Sequence, residues 1–245
     1  FALQDVLRGR TLEDALDVLP QIWSDLFRVM DDIKESVRIA AAKTVSALSR
    51  TTIKMCDVAQ AGQKSGEATI TAVMPTLLEK GLLSTVGDVR SAALAVIMKV
   101  TKSAGSLLKP HLSILIPALL EATSELEGTE IGYLSSRLAN DPSIQEKLDL
   151  ARISAAKSSP MMECVNFVIQ YVDASSLMGL VPRLVDLIKT SIGLGTKGAA
   201  AHVVTALTHQ CPLELEQYTG KILAAFFTGL SDRNPAVRKT YASAI

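Results

Sequence analysis

The chain has 245 residues, 48% of them apolar but only 4% aromatic, and its 25 basic and 25 acidic side chains cancel. That balance excludes a nucleic-acid or anionic-membrane partner held by gross charge, and an Ala- and Leu-rich chain poor in aromatics speaks against a sheet protein. Three scattered cysteines, Cys56, Cys164 and Cys211, form no C-x-x-C pair, which argues against a disulfide framework and for a reducing compartment. No basic stretch followed by an apolar core marks a signal peptide, and apolar runs such as 114–120 and 222–230 are short for a bilayer. The expectation is a protein of the cytoplasm and nucleus without membrane insertion. Phe1 stands where a start methionine would, and the last residues stop inside a helical pattern, as in a segment cut from a longer array.

Along the chain one phrase recurs: apolar, Pro, any residue, apolar, apolar. It first reads Leu19-Pro20-Gln21-Ile22-Trp23, in a unit spanning about 11–56. A small polar residue follows, Asp32, then Val37-Arg38. Counting from Val37, Ala41, Val45 and Leu48 share one helical face. The stretch 57–68, rich in Gly, Ser, Gln and Ala, reads as a mobile connection between units. The second unit, about 69–104, repeats the scheme with Met74-Pro75-Thr76-Leu77-Leu78, Ser84, Val89-Arg90, Ala93, Ile97 and Val100.

The third unit, about 110–172, is irregular. Its first helix runs over 111–126 around Ile116-Pro117-Ala118-Leu119-Leu120, and the best second helix is 161–172, with Val165, Ile169 and Val172 on one face. Residues 128–159 are left as an insertion. Inside it Asn140-Asp141-Pro142 is a helix start, followed by Leu148, Leu150, Ala151 and Ile153. The fourth unit, about 176–210, carries Val181-Pro182-Arg183-Leu184-Val185, Ser191, Thr196-Lys197, Ala200, Val204 and Leu207. The fifth, about 216–245, has lost the proline (Ile222-Leu223-Ala224-Ala225-Phe226) but keeps Asp232, Val237-Arg238, Tyr241 and Ile245.

Each unit is thus helix, tight turn, helix, and this layout resembles the HEAT repeat. The expected fold class is all-α, an α-solenoid of about five HEAT-like helical hairpins with an insertion in the third. The pairs Ala41-Ala42, Ala92-Ala93 and Ala199-Ala200 let neighbouring hairpins approach closely.

Candidate chemistry is thin. Residues 193–198, Gly-Leu-Gly-Thr-Lys-Gly, spell G-x-G-x-x-G, but a dinucleotide loop must follow a strand, whereas this one follows a helix and occupies a hairpin turn. Titration with nucleotide separates a binding module from a turn. His202, His209 and Cys211 fall near one another in sequence but make a poor zinc ligand set. Asp31-Asp32 and Glu214/Glu216 read as solvated carboxylates. Arg38, Arg90, Lys197 and Arg238 recur at one repeat position, where they either line a basic groove or, as favoured here, form a ladder with acids and carbonyls of the adjoining turns. No catalytic, cofactor-binding or metal-ligating residue is assigned, no cofactor is expected, and protein-binding residues are left open.

Beyond the repeat, 31–38 (Asp-Asp-Ile-Lys-Glu-Ser-Val-Arg), 54–57 (Lys-Met-Cys-Asp), 102–105 (Lys-Ser-Ala-Gly), 115–121 (Leu-Ile-Pro-Ala-Leu-Leu-Glu), 154–163 (Ser-Ala-Ala-Lys-Ser-Ser-Pro-Met-Met-Glu) and 229–234 (Gly-Leu-Ser-Asp-Arg-Asn) are longer than repeat-level likeness produces. Across the chain they resemble the large HEAT-repeat proteasome adaptor and scaffold family. That resemblance implies a non-enzymatic adaptor that binds the 26S proteasome, core particle and regulatory particle together. It also implies links to motor or vesicle proteins, with peripheral association to endoplasmic reticulum, endosomes and centrosome. The alternative is another HEAT-repeat scaffold, a nuclear transport receptor or a phosphatase scaffold subunit, which the lack of a dense acidic or Trp-Asn-rich inner surface disfavours.

Overall fold

The computed structural model describes residues 12–125 and 142–245, in two compact units that divide after His111. Among the described residues every regular element is helical. Residues 1–11 and 126–141 lie outside the described residues, and with them Gly132, Asn140-Asp141 and the first part of the 128–159 stretch.

In the first unit, α1 (Leu12–Val29) and α2 (Glu35–Cys56) form one hairpin. The short α3 (Val58–Ala61) leads to a second hairpin of α4 (Gln63–Thr76), which continues through the π-turn Leu77–Leu82, and α5 (Gly87–Ala104). A 3₁₀ stretch, Gly105–His111, follows. Helix α1 buries Leu19, Trp23 and Phe27 at one-turn spacing. The Trp23 ring lies 5.3 Å from that of Phe27 and donates its indole N–H to Thr52 Oγ1 on α2 at 3.2 Å, so two fully buried polar groups satisfy each other. Helix α1 packs on α4 and α2 on α5, first helix to first and second to second, as stacked hairpins require.

The stripe positions read from Val37 and Val89 point inward. Ala41, Val45 and Leu48 are buried, as are Val89, Ala93, Ile97 and Val100, while Val37 is half-buried. Gly81, eight residues before Val89, faces Ala93 so closely that an added Cβ would lie 2.6 Å from the Ala93 methyl and 2.9 Å from the Phe27 ring. The connection expected at 57–68 is instead helical except at Asp57 and Gly62, and the φ of 80° at Gly62 turns the chain from α3 into α4. Asp57 caps α3 by accepting from Ala59 N, and Gly66 lets α4 approach the carbonyl of Cys56 and the side chain of Leu107. Composition alone reads such a segment as loose because Gly and Ser weaken a helix, yet here they pack.

The second unit comprises α6 (Leu112–Glu125), α7 (Pro142–Lys157), α8 (Pro160–Val168) with a 3₁₀ turn Ile169–Tyr171, α9 (Ala174–Thr190), α10 (Leu194–Gln210), α11 (Pro212–Glu216), α12 (Thr219–Gly229) and α13 (Pro235–Ala242). First helices α6, α9 and α12 pack in succession, and α8 lies on α6. Val165, Ile169 and Val172 are buried, as are Thr196, Ala200, Val204 and Leu207 on α10 and Val237 and Tyr241 on α13, while Ile245 is half exposed. Helix α7 lies on α10 and reaches α13. Ala156 meets Gly195 and Ile153 meets Gly198, so the two helices run in opposite directions. That cover explains why α10 is built of small residues and buried nearly all round.

The prolines Pro20, Pro75, Pro117 and Pro182 all sit inside helices. The helical run Gly87–Ser124, 38 residues, contains a window apolar enough to cross a membrane by length and composition, which the short runs read from sequence did not suggest. However, 56% of that window is buried inside the fold, as in a core helix.

Val89 is 1% exposed. Replacing it by aspartate buries a charge with no partner, and Val89→Asp is expected to cost about 3 kcal/mol. A thermal melt indistinguishable from the parent would show that Val89 does not hold the two hairpins together.

Candidate interaction site

The recurring polar residues converge on the hairpin turns. A turn between two helices leaves backbone groups that neither helix pairs, and in three hairpins the same pair of residues takes them up. Asp32, Ser84 and Asp232 each accept, through the side chain, the backbone N–H two residues on: Lys34 N at 2.8 Å, Val86 N at 3.2 Å and Asn234 N at 2.8 Å. The arginine six residues on then donates Nη1 back to the carbonyl of that same residue, Arg38, Arg90 and Arg238 each at 2.8 Å. Arg38 and Arg238 add the next carbonyl at 3.0 and 3.1 Å. Each arginine therefore clasps its own turn, and the ladder rather than a basic groove is what these positions form. Asp32 thus bonds the turn's backbone, as its place five residues before Val37 suggests, and is not simply a solvated carboxylate.

The fourth hairpin departs from the scheme. Ser191 Oγ has no hydrogen-bond partner among the described residues, and Lys197, in place of an arginine, reaches Asp232 Oδ2 of the next turn at 2.5 Å. Asp232 also lies within the field of Arg238. Burial pushes its carboxyl up, but the Lys197 hydrogen bond, the Asn234 N–H and the two cationic charges outweigh burial and hold its pKa below the ordinary aspartate value. Beside it Asp149 of α7, 4% exposed, accepts from Gln145 Nε2 at 3.0 Å, Arg152 Nη1 at 3.4 Å and Asn234 Nδ2 at 2.8 Å. Asn234 in turn caps α13 by accepting from Ala236 N. Glu146 pairs with Lys239. The result is a polar tie among α7, α10 and the turn before α13.

The 193–198 motif opens α10. A Cβ on Gly193 would fall 1.9 Å from Ser124 Oγ, and one on Gly198 would fall 2.4 Å from Ile153 Cγ2. Ser124 Oγ accepts Thr196 N at 3.0 Å, and Thr196 Oγ1 donates to the Leu120 carbonyl at 3.0 Å. The place a phosphate would take at this helix start is filled by Ser124, and the glycines serve close packing rather than a nucleotide.

His202 is half-buried and His209 exposed; burial, then the charge of Lys157, lowers the His202 pKa. Cys211 is buried and its thiol donates to the Leu207 carbonyl, while burial and then Glu214 push its pKa up, against the thiolate a metal needs. Among the described residues no three His, Cys, Asp or Glu side chains gather as a metal site would require. His111, not singled out from sequence, is buried against Thr71 at 3.3 Å, and burial lowers its pKa. Burial raises the Cys56 thiol to about 12. Asp149 and Asn234 also escaped sequence reasoning: they stand 85 residues apart, and neither belongs to the repeat's fixed offsets. The Val-Arg offsets, by contrast, carried the clasp in plain view.

The family described as "Proteasome adapter and scaffold protein ECM29, HEAT-repeat domain" matches residues 108–245. The chain belongs to that family. The Homo sapiens "Proteasome adapter and scaffold protein ECM29" is 52% identical over 247 residues, covering 100% of this chain and 13% of the human protein. The Drosophila melanogaster "Proteasome-associated protein ECM29 homolog" is 42% identical over 229 residues, 93% of this chain and 12% of that protein. The Schizosaccharomyces pombe "Proteasome component ecm29" is 31% identical over 248 residues, 99% of this chain and 15% of that protein. The chain thus spans 12–15% of these ECM29 relatives. The HEAT-repeat description accords with the helical hairpins, and the chain is a segment of an all-α solenoid.

Two outcomes follow for the ties. Gly198→Ala drives a methyl into Ile153 and is expected to lower stability by about 1–3 kcal/mol. Gly220→Ala, on α12 with nothing within 4 Å of its new Cβ, raises it slightly; equal melts for the two would contradict the α7–α10 packing. A carboxylate held below its ordinary pKa contributes stability that is present above the unfolded value and lost as pH falls through the folded one. Stability is therefore expected to drop on acidification through the range below the ordinary aspartate pKa. Asp232→Asn flattens part of that drop, which denaturant titrations at stepped pH would register.

Proposed function

We propose that this chain is a non-enzymatic scaffold segment that binds the 26S proteasome and contributes to holding its core and regulatory particles together. The observation that carries this reading is membership of the ECM29 family, whose relatives are named as proteasome adapters, scaffolds and components. The structure supports it in kind. The polar clusters of the described residues resolve into turn clasps and interhelical ties, so the surfaces of stacked hairpins are what the chain offers to a partner. Links to other cellular compartments belong to the same reading as its outermost extension.

The test is capture of purified 26S proteasome, isolated core particle and isolated regulatory particle on the immobilised chain, with Val89→Asp as the disrupted control. Retention of both separated particles by the parent alone is the expected result. Retention of one particle alone would reduce the bridge to a single-sided contact, and retention of none would move the proteasome contacts outside these residues.

A further inference from the structure

We propose that the groove between α2 and α5 is a docking site for an acidic, amphipathic helical segment of a partner protein. The groove has a volume of about 370 Å³ and lies between the second helices of the first unit's two hairpins. Val45 and Ile53 give it an apolar floor, Ala92 and Ala95 keep one wall low, and Arg50 and Lys99 stand exposed at its rim. Neither rim cation has a carboxylate within ion-pair distance among the described residues.

The charge is one-sided. From Ser36 to Cys56 the chain holds Arg38, Lys43, Arg50 and Lys54 and no acidic residue, and from Val89 to Leu120 it again holds basic residues and no acidic one. Arg38 and Arg90 are spent on their turns, which leaves Lys43, Arg50, Lys54 and Lys99 exposed along the two helices. A chain of zero net charge has therefore placed a cationic rim around an apolar trough, the complement of a helix with carboxylates flanking an apolar stripe.

The second unit shows such a seat occupied. There the second helix α10 is covered by the antiparallel α7, whose Glu146 and Asp149 reach basic and amide partners beyond it. Ala199, three residues after the stripe origin Thr196, is fully buried; Ala92, three after Val89, is only half-buried. The same helix face is thus covered in one unit and open in the other. Nucleic acid fits less well, because among the described residues the groove is lined by no aromatic ring for base stacking and by only two cations. This inference stands on the groove's own shape and charge, whatever assembly the chain serves.

Fluorescence anisotropy of a labelled helical peptide with a Leu stripe flanked by Glu, titrated with the full chain, tests it. Arg50→Glu/Lys99→Glu is expected to weaken binding by about tenfold or more, and rising salt to weaken the parent. Ala95→Trp, which fills the trough without changing charge, is expected to weaken it comparably, while Lys189→Glu/Lys221→Glu, the same charge change in the other unit, leaves it unaltered. Circular dichroism confirms that each variant keeps the parent's helicity. Three results would overturn the proposal. The first is equal affinity for parent and groove variants, and the second is a single-stranded RNA oligonucleotide that binds more tightly and is lost in the same variants. The third is a self-dimer of the chain, seen by sedimentation, that those variants dissociate.

Discussion

Three hairpins of this chain depend on how the turn disposes of the carbonyls it leaves outside either helix. A buried or half-buried carbonyl without a donor costs as much as a lost hydrogen bond, and the turn cannot lean on water where the next hairpin crowds it. The arginine six residues beyond the turn's polar residue supplies the donor from the start of the second helix. Because the clasp closes within a few residues, each turn is settled locally. The apolar stripes are then free to find their neighbours, and with the second helix anchored at its first turn, the stripe at four, eight and eleven residues beyond the origin faces inward.

Close approach is the second recurring solution. Gly81 and Gly229 occupy the same register, eight residues before the stripe origin (81 to 89, 229 to 237), and each touches the residue four beyond it, Ala93 or Tyr241. Where that residue is the small Ala93, the glycine brings two backbones together. Where it is Tyr241, the glycine makes room for a ring that stacks edge-on against Phe226 at 5.1 Å and donates its hydroxyl to the Ile188 carbonyl at 3.1 Å. One vacant Cβ position thus serves either a tight crossing or an aromatic anchor.

How much of this the sequence disclosed follows from range. The stripes, the turn residues and the arginine pairing are local, and periodicity displays them directly. The seat of α7 on α10 is not local. Its signal was the glycine and alanine run 193–201, but a G-x-G-x-x-G string and a helix pressed by a neighbour look alike in one dimension. Only the meeting of Ile153 with Gly198 tells them apart. The stretch 57–68 misled for a related reason, since Gly66 is small in order to pack and not in order to bend. The groove at Arg50 and Lys99 left a faint trace, the long intervals without an acid, which means little until two helices bring those intervals side by side.

The exchange of arginine for Lys197 has a mechanical side. A clasp that ends within its own turn transmits no load to the next hairpin, so between the first two hairpins shear is met by apolar surface, where dispersion has no direction, and by the exposed Lys80 Nζ to Ser24 Oγ bond at 2.8 Å. The Lys197–Asp232 bond and the Asp149–Asn234 bond cross between elements and point along fixed lines. They act as cross-braces. A bending force on the second unit has to stretch these bonds before its helices slide. Bending of the second unit is therefore opposed by half-buried charged and amide pairs as well as by packing.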